Sequence, residues 1–197
     1  MGETTLEPMI IRDVTALTQE RWINLFAATF ENRGHVGRWV FASRKERPHE
    51  DRQADAVILI PILRNPGESA RLVVIREFRV PVGDFCIGFP AGLIDPGETL
   101  EDTARRELAE ETGLTLLAIK HLTAPLLMSS GLTDESACLA FVEVTGTPQP
   151  QPERSEALQV ELLDYEAVVR LSQDTTIRLD VKVWLILWMI RMQGRID

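Results

Sequence analysis

Between residues 92 and 114 the chain reads GLIDPGETLEDTARRELAEETGL, and this stretch constrains the fold more than any other. Thr99 can cap a helix N-terminus, Asp102 stands at the capping-box position, and Gly113 supplies a stop, so the pattern predicts a helix over residues 99–112. On that helix Glu107, Glu110 and Glu111 fall at i, i+3 and i+4, which puts three carboxylates on one face. Like charges this close repel one another, and a bound cation offsets the repulsion. A ligand set made only of oxygen suits a hard ion, Mg²⁺ or Mn²⁺, rather than zinc. Arg106 lies on the adjacent face and can pair with Glu98 in the preceding loop, fixing loop against helix. Gly92 and Gly97 permit tight turns that can aim a main-chain carbonyl at the same ion. The plainer account is a solvated charged face, the usual fate of a helix with adjacent glutamates. That account leaves Gly92, Glu98, Arg106 and Gly113 unexplained at their fixed spacings.

The rest of the composition narrows the field. With 197 residues the chain can bury one real core. Its net charge of −9 and the lack of a basic tract argue against a nucleic-acid partner. An acidic enzyme still binds an anionic substrate when bound cations supply the positive charge. Cys86 and Cys138 form no CxxC and no Cys/His cluster, so neither structural zinc nor a disulfide framework is expected. The N-terminus lacks the pattern of a signal peptide, and a reducing cytoplasm is the expected compartment. The most apolar run, residues 183–190, is too short to span a bilayer, so no membrane partner is expected and the run reads as a buried helix.

Strand-like segments at residues 9–14, 22–29 and 37–44 open the chain, with Gly34 and Gly37 marking a loop between the last two. Residues 45–52 (KERPHEDR) read as a linker or long loop. Residues 54–63 are a buried strand, Asn65-Pro66-Gly67 turns the chain, and residues 71–79 are the hairpin partner. Further strands are expected at 84–90, 114–123, 136–144 and 158–163, and helices at 165–172 and 179–193. The Pro-rich stretch 146–154 is expected to be irregular. The sum is α+β or a mixed α/β sandwich, with a strand-rich N-terminal part, divided at residues 1–53 and 54–197. The N-terminal strands are too short to bury a core alone, which calls for a partner surface.

The 92–114 stretch matches G-x5-E-x7-R-E-U-x-E-E-x-G-U at every specified position, and on it the chain is identified as a member of the Nudix hydrolase superfamily. The flanking REFRVPVGDFCIGFPAGLIDPGET, with RKERPHEDRQADAVILIPIL upstream and SSGLTDES downstream, resembles the ADP-ribose (ADP-sugar) pyrophosphatases. The resemblance implies the Nudix fold, an α+β mixed α/β/α sandwich with a small N-terminal antiparallel β-sheet, and hydrolysis of ADP-ribose to AMP and ribose 5-phosphate with Mg²⁺, which Mn²⁺ can replace. It implies that the main-chain carbonyl of Ala91, with Glu107, Glu110 and Glu111, holds the metal. It places Glu156 near the attacking water, with Glu153 and Glu135 as rivals. It assigns Arg79 and Arg44 to substrate phosphates, Trp22 and Trp39 to the adenine, and Met128 and Gly131 to the loop lining the terminal ribose. It also implies a homodimer whose N-terminal sheets pack across a two-fold axis, so that Trp39 and Arg44 cross to the neighbouring site.

Two positions depart from that pattern. Gly88 stands where relatives often carry a glutamate, and Ser129-Ser130 replaces a more usual Asp-Pro or Ser-Pro. Each assignment also has a plainer reading: strand tryptophans usually pack in their sheet, and loop glutamates and a lone Arg44 usually meet only water. Other activities compatible with the residues are cleavage of a GDP- or UDP-sugar, since stacking tolerates any base, and non-catalytic binding of ADP-ribose.

Overall fold

The computed structural model describes residues 8–50, 52–150 and 157–196. The chain forms two compact units, one from residues 1–55 with 125–137, the other from 56–124 with 138–197.

The first unit is built on an antiparallel meander of β1 (Ile10–Ala16), β2 (Asn24–Asn32) and β3 (His35–Ser43) in that spatial order. Arg33 and Gly34 both take positive φ, 50° and 79°, as a two-residue hairpin turn with matching twist requires. Gly37, read as marking that loop and opening the next strand, lies two residues inside β3 opposite Phe30, and a Cβ there would overlap the Phe30 ring. The glycine is a slot for an aromatic ring rather than a turn residue. Phe26, Ala28 and Phe41, with Val14 against them, form this unit's small core. The loop of residues 125–137 joins it: Ala42 N donates to Leu132 O at 2.8 Å, and β9 (Leu126–Leu127) pairs with Ser136 and Ala137.

The second unit begins with β4 (Ala56–Leu63) and β5 (Arg71–Arg79), joined as the expected hairpin through Ile62–Leu72 and Leu63–Arg71. The two strands then part, β5 pairing with β6 (Asp84–Gly88) and β4 with β7 (Ala91–Leu93). After α1 (Leu100–Thr112) come β8 (Thr115–Leu122), β10 (Ser136–Thr145), β11 (Leu158–Leu163), α2 (Tyr165–Gln173) and α3 (Val181–Gln193). The main sheet runs β11-β5-β4-β10-β8. Alternation along β4 builds a layer on each side. Val57, Leu59 and Leu63 pack with Ala104 and Leu108 of α1, whereas Ile60 and Ile62 line a cavity of about 360 Å³ with Ile186, Met189 and Ile190 of α3. This is the expected α+β sandwich with a separate N-terminal sheet. The short strands β7 and β9 escaped the sequence reading, because two or three residues carry no readable alternation.

The expectation that residues 183–190 form a buried helix holds for only one side of α3. Val183, Leu187 and Ile190 are buried, but Trp184, Leu185, Trp188 and Met189 are exposed. A helix lying on a sheet buries one stripe, and no described element covers the other. Among the described residues, no helix is long and apolar enough to cross a membrane.

Candidate functional site

The acidic helix is fixed at both ends by its own sequence. Thr99 accepts from the Asp102 amide and the Asp102 carboxylate accepts from the Thr99 amide, a complete capping box. Gly113 closes the other end at φ 70°, its N–H donating to Ala109 O. A side chain at Gly113 would also strike the Gln149 backbone, so glycine is required there twice over.

Arg106 organises the charges around α1. Its Nε and Nη2 grip the two oxygens of Glu98, each at 2.8 Å, in a fork geometry. Nη1 reaches Glu107 Oε1 at 2.6 Å and Glu110 Oε2 at 3.4 Å, and Nη2 also donates to Leu93 O at 3.1 Å. Thr103 adds a hydroxyl to Glu98 at 2.8 Å. Held first by the Arg106 guanidinium and then by Thr103, the Glu98 carboxyl is pulled down to about 2, and Arg106 is pushed up in turn. The expected Glu98–Arg106 tie between loop and helix is therefore present.

Strand β7 runs beside this face. Ala91 N donates to Glu111 Oε2 at 2.9 Å, which ties β7 to the acidic helix. Gly92 lies so close to Glu107 that a Cβ would overlap its carboxylate. Glu111 is 8% exposed, and the side chain of Glu110 is 55% exposed, so the acidic face runs from interior to solvent. The donor set, three carboxylates beside a main-chain strand, fits a hard divalent ion by its chemistry. Among the described residues, no three acid, His or Cys side chains converge on one metal position, and Arg106 supplies the compensating charge.

On the same unit, Arg79 ends β5 and pairs with Glu77 at 2.8 Å. Residues two apart on a strand share a side, a signal the sequence reading did not use for Glu77. Gly88 leaves room here: a Cβ on it would sit 4.0 Å from Arg79 Nη2.

In the N-terminal unit, Arg44 Nε donates to Glu135 Oε1 at 2.7 Å, and its Nη1 lies 3.5 Å from Trp22 O. Trp39 Nε1 donates to Gly131 O at 3.3 Å, and Met128 N to Glu135 O at 3.0 Å. The structure thus gathers Trp22, Arg44, Met128 and Glu135 into one network and joins Trp39 to Gly131. Arg21, overlooked in the sequence, lies 4.3 Å from the Trp22 ring centroid and covers one of its faces. Glu153 and Glu156 lie outside the described residues.

The comparisons agree with this geometry. The model of the NUDIX domain matches residues 52–185. Mouse ADP-sugar pyrophosphatase is 28% identical over 151 residues, 73% of this chain and 68% of that one. The ADP-ribose pyrophosphatase of Saccharomyces cerevisiae is 33% identical over 135 residues, 68% of this chain and 57% of its own length. A crystal structure of an ADP compounds hydrolase superposes with a TM-score of 0.69 over 98% of this chain and 100% of that one; at 20% identity it speaks for the fold alone. With an intact acidic helix, the sandwich that carries it and a domain match across most of its length, this chain belongs to the Nudix family and is a Nudix hydrolase.

Proposed function

We propose that this hydrolase cleaves the diphosphate linkage of ADP-ribose, or of a related ADP-sugar, to AMP and the sugar phosphate, which for ADP-ribose is ribose 5-phosphate. The observation that carries the reading is α1, where Arg106 joins Glu107 and Glu110 and locks the helix to Glu98, while Glu111 meets strand β7 at the Ala91 amide. Two relatives named for ADP-sugar or ADP-ribose hydrolysis support the choice of substrate.

In this reading Glu107, Glu110, Glu111 and the Ala91 carbonyl would hold Mg²⁺, or Mn²⁺ in its place. The ion supplies Lewis acidity and a bound water of lowered pKa. Arg79 and Arg44 add fixed positive charge where the diphosphate gathers negative charge. Trp22 and Trp39 stack on the adenine, and Met128 and Gly131 border the sugar. Glu156 orients or deprotonates the attacking water. The N-terminal sheet packs across the two-fold axis of a homodimer, and exposed Leu25, Val36 and Val40 on one face give it an apolar surface to do so.

The test is product analysis of a panel containing ADP-ribose, other ADP-sugars, GDP-sugars and UDP-sugars with Mg²⁺. ADP-ribose or another ADP-sugar should turn over fastest and release AMP. A faster GDP- or UDP-sugar overturns the assignment of base, and tight binding of ADP-ribose without products overturns its assignment as substrate.

A further inference from the structure

Between Lys182 and Arg191, helix α3 is apolar all the way round. Val183, Leu187 and Ile190 are buried, while Val181, Trp184, Leu185, Trp188, Met189 and Met192 are between 43% and 67% exposed. A surface helix normally turns a charged face to water, and one that is apolar on every side belongs in an interior. The six exposed residues follow one another at steps of three and one, so they form a continuous seam rather than scattered surface apolars.

The seam is symmetric about its midpoint, which falls between Ile186 and Leu187. Val181 and Met192, Trp184 and Met189, and Leu185 and Trp188 are equidistant from that point. A second α3 laid antiparallel across a two-fold axis therefore sets Trp184 against Met189, Leu185 against Trp188 and Val181 against Met192, each contact made twice. Thioether sulfur beside an indole ring is favourable. Lys182 would approach Arg191 of the other copy at the edge, but Asp180 holds the Lys182 ammonium at 2.7 Å and offsets its charge.

At those exposures the six side chains leave roughly 700 Å² uncovered per copy, so their complete burial in a pair removes up to about 1,400 Å² from water, within the range of stable interfaces. A lipid surface is the other possible cover for exposed tryptophans, but anionic headgroups repel a chain of net charge −9.

We propose that α3 is a self-association face on which two copies of this chain pack antiparallel across a two-fold axis. It is separate from any contact made by the N-terminal sheet and independent of which nucleotide sugar is cleaved.

The test is the solution mass of the full chain by sedimentation equilibrium, with Leu185→Glu and Trp188→Glu as separate variants. Both positions are exposed, so the fold and the hydrolytic rate should survive. Each variant should show a lower mass than the wild type, half of it where α3 is the sole contact between copies. Equal masses overturn the proposal. Mixing Leu185→Glu with Trp188→Lys sets glutamate opposite lysine across the two-fold axis and should restore the wild-type mass; no recovery overturns the antiparallel pairing. Co-sedimentation with phosphatidylglycerol vesicles that Trp188→Glu abolishes, at unchanged mass, assigns the face to lipid instead.

Discussion

Arg44 Nε lies 2.7 Å from Glu135 Oε1, joining residues 91 positions apart. On either side, Ser43 Oγ donates to Asp134 at 3.1 Å, and Lys45 lies 3.7 Å from Asp55, whose carboxylate accepts from Ser136 N at 2.8 Å. The end of β3 and the two residues after it are thus tied to residues 134–136, Ser43 and Arg44 directly and Lys45 through Asp55. Glu135, a rival to Glu156 as the acid acting on water, is engaged with a guanidinium. Its expected role is to aim Arg44. Glu135→Ala should then raise KM as Arg44→Ala does, leave kcat within about threefold, and add nothing when combined with Arg44→Ala. A kcat collapse in Glu135→Gln would make it the base instead.

Glu111→Gln should lower kcat on the order of a hundredfold or more, because it removes a metal-ligating charge. The amide oxygen can still accept from Ala91 N, so the fold should persist. Steady-state rates at saturating Mg²⁺ and a thermal melt check both halves, and wild-type turnover in the variant would refute the role of Glu111.

Two glycines should fail in different ways. Gly92→Ala pushes the Glu107 carboxylate aside, a flexible tip that can yield, so activity should fall while Tm moves little. Gly113→Ala meets the Gln149 backbone and a φ of 70°, so it should destabilise the fold by about 1–3 kcal/mol. Melting curves and rates for the pair would separate a site glycine from a cap glycine.

Acid should loosen α1 through Glu98. Its carboxyl is lowered from 4.5 to about 2, so the folded state binds its proton less readily than the unfolded chain. The Glu98 contribution is fully present above about pH 4.5 and is lost as the pH falls through about 2. Urea midpoints across that window should fall less steeply in Glu98→Gln than in the wild type. Parallel slopes would remove Glu98 from the account.

If Arg44 serves the neighbouring site in a dimer, Arg44→Ala and Glu111→Gln, each nearly silent alone at substrate well below KM, should complement under that condition. Refolding an equal mixture of Arg44→Ala and Glu111→Gln makes about half the dimers mixed, each with one whole site, so about a quarter of wild-type activity should return. No recovery in a mixture shown to contain mixed dimers would keep Arg44 within its own chain.

The acidic helix was legible because its determinants are local. A capping box, a carboxylate triplet at i, i+3 and i+4, and a terminal glycine act within a few residues, and Thr99, Glu107 and Gly113 occupy the positions their spacing requires. The order of strands and the α+β class were legible for the same reason, since alternation and turn residues are properties of short segments. Three features were decided only by tertiary packing. Gly37 reads as a turn residue until Phe30 is laid across it. Arg44 reads as a solvated cation or a phosphate ligand until the chain returns 91 residues later with Glu135. The apolar run of α3 reads as a core helix, because hydrophobicity reports that a face avoids water and not which surface will cover it. Sequence fixes what a residue can bond to within a turn or two of itself, whereas the partner of Arg44 is set by which distant segment the fold brings within reach, and the exposed side of α3 by how the helix lies on its sheet.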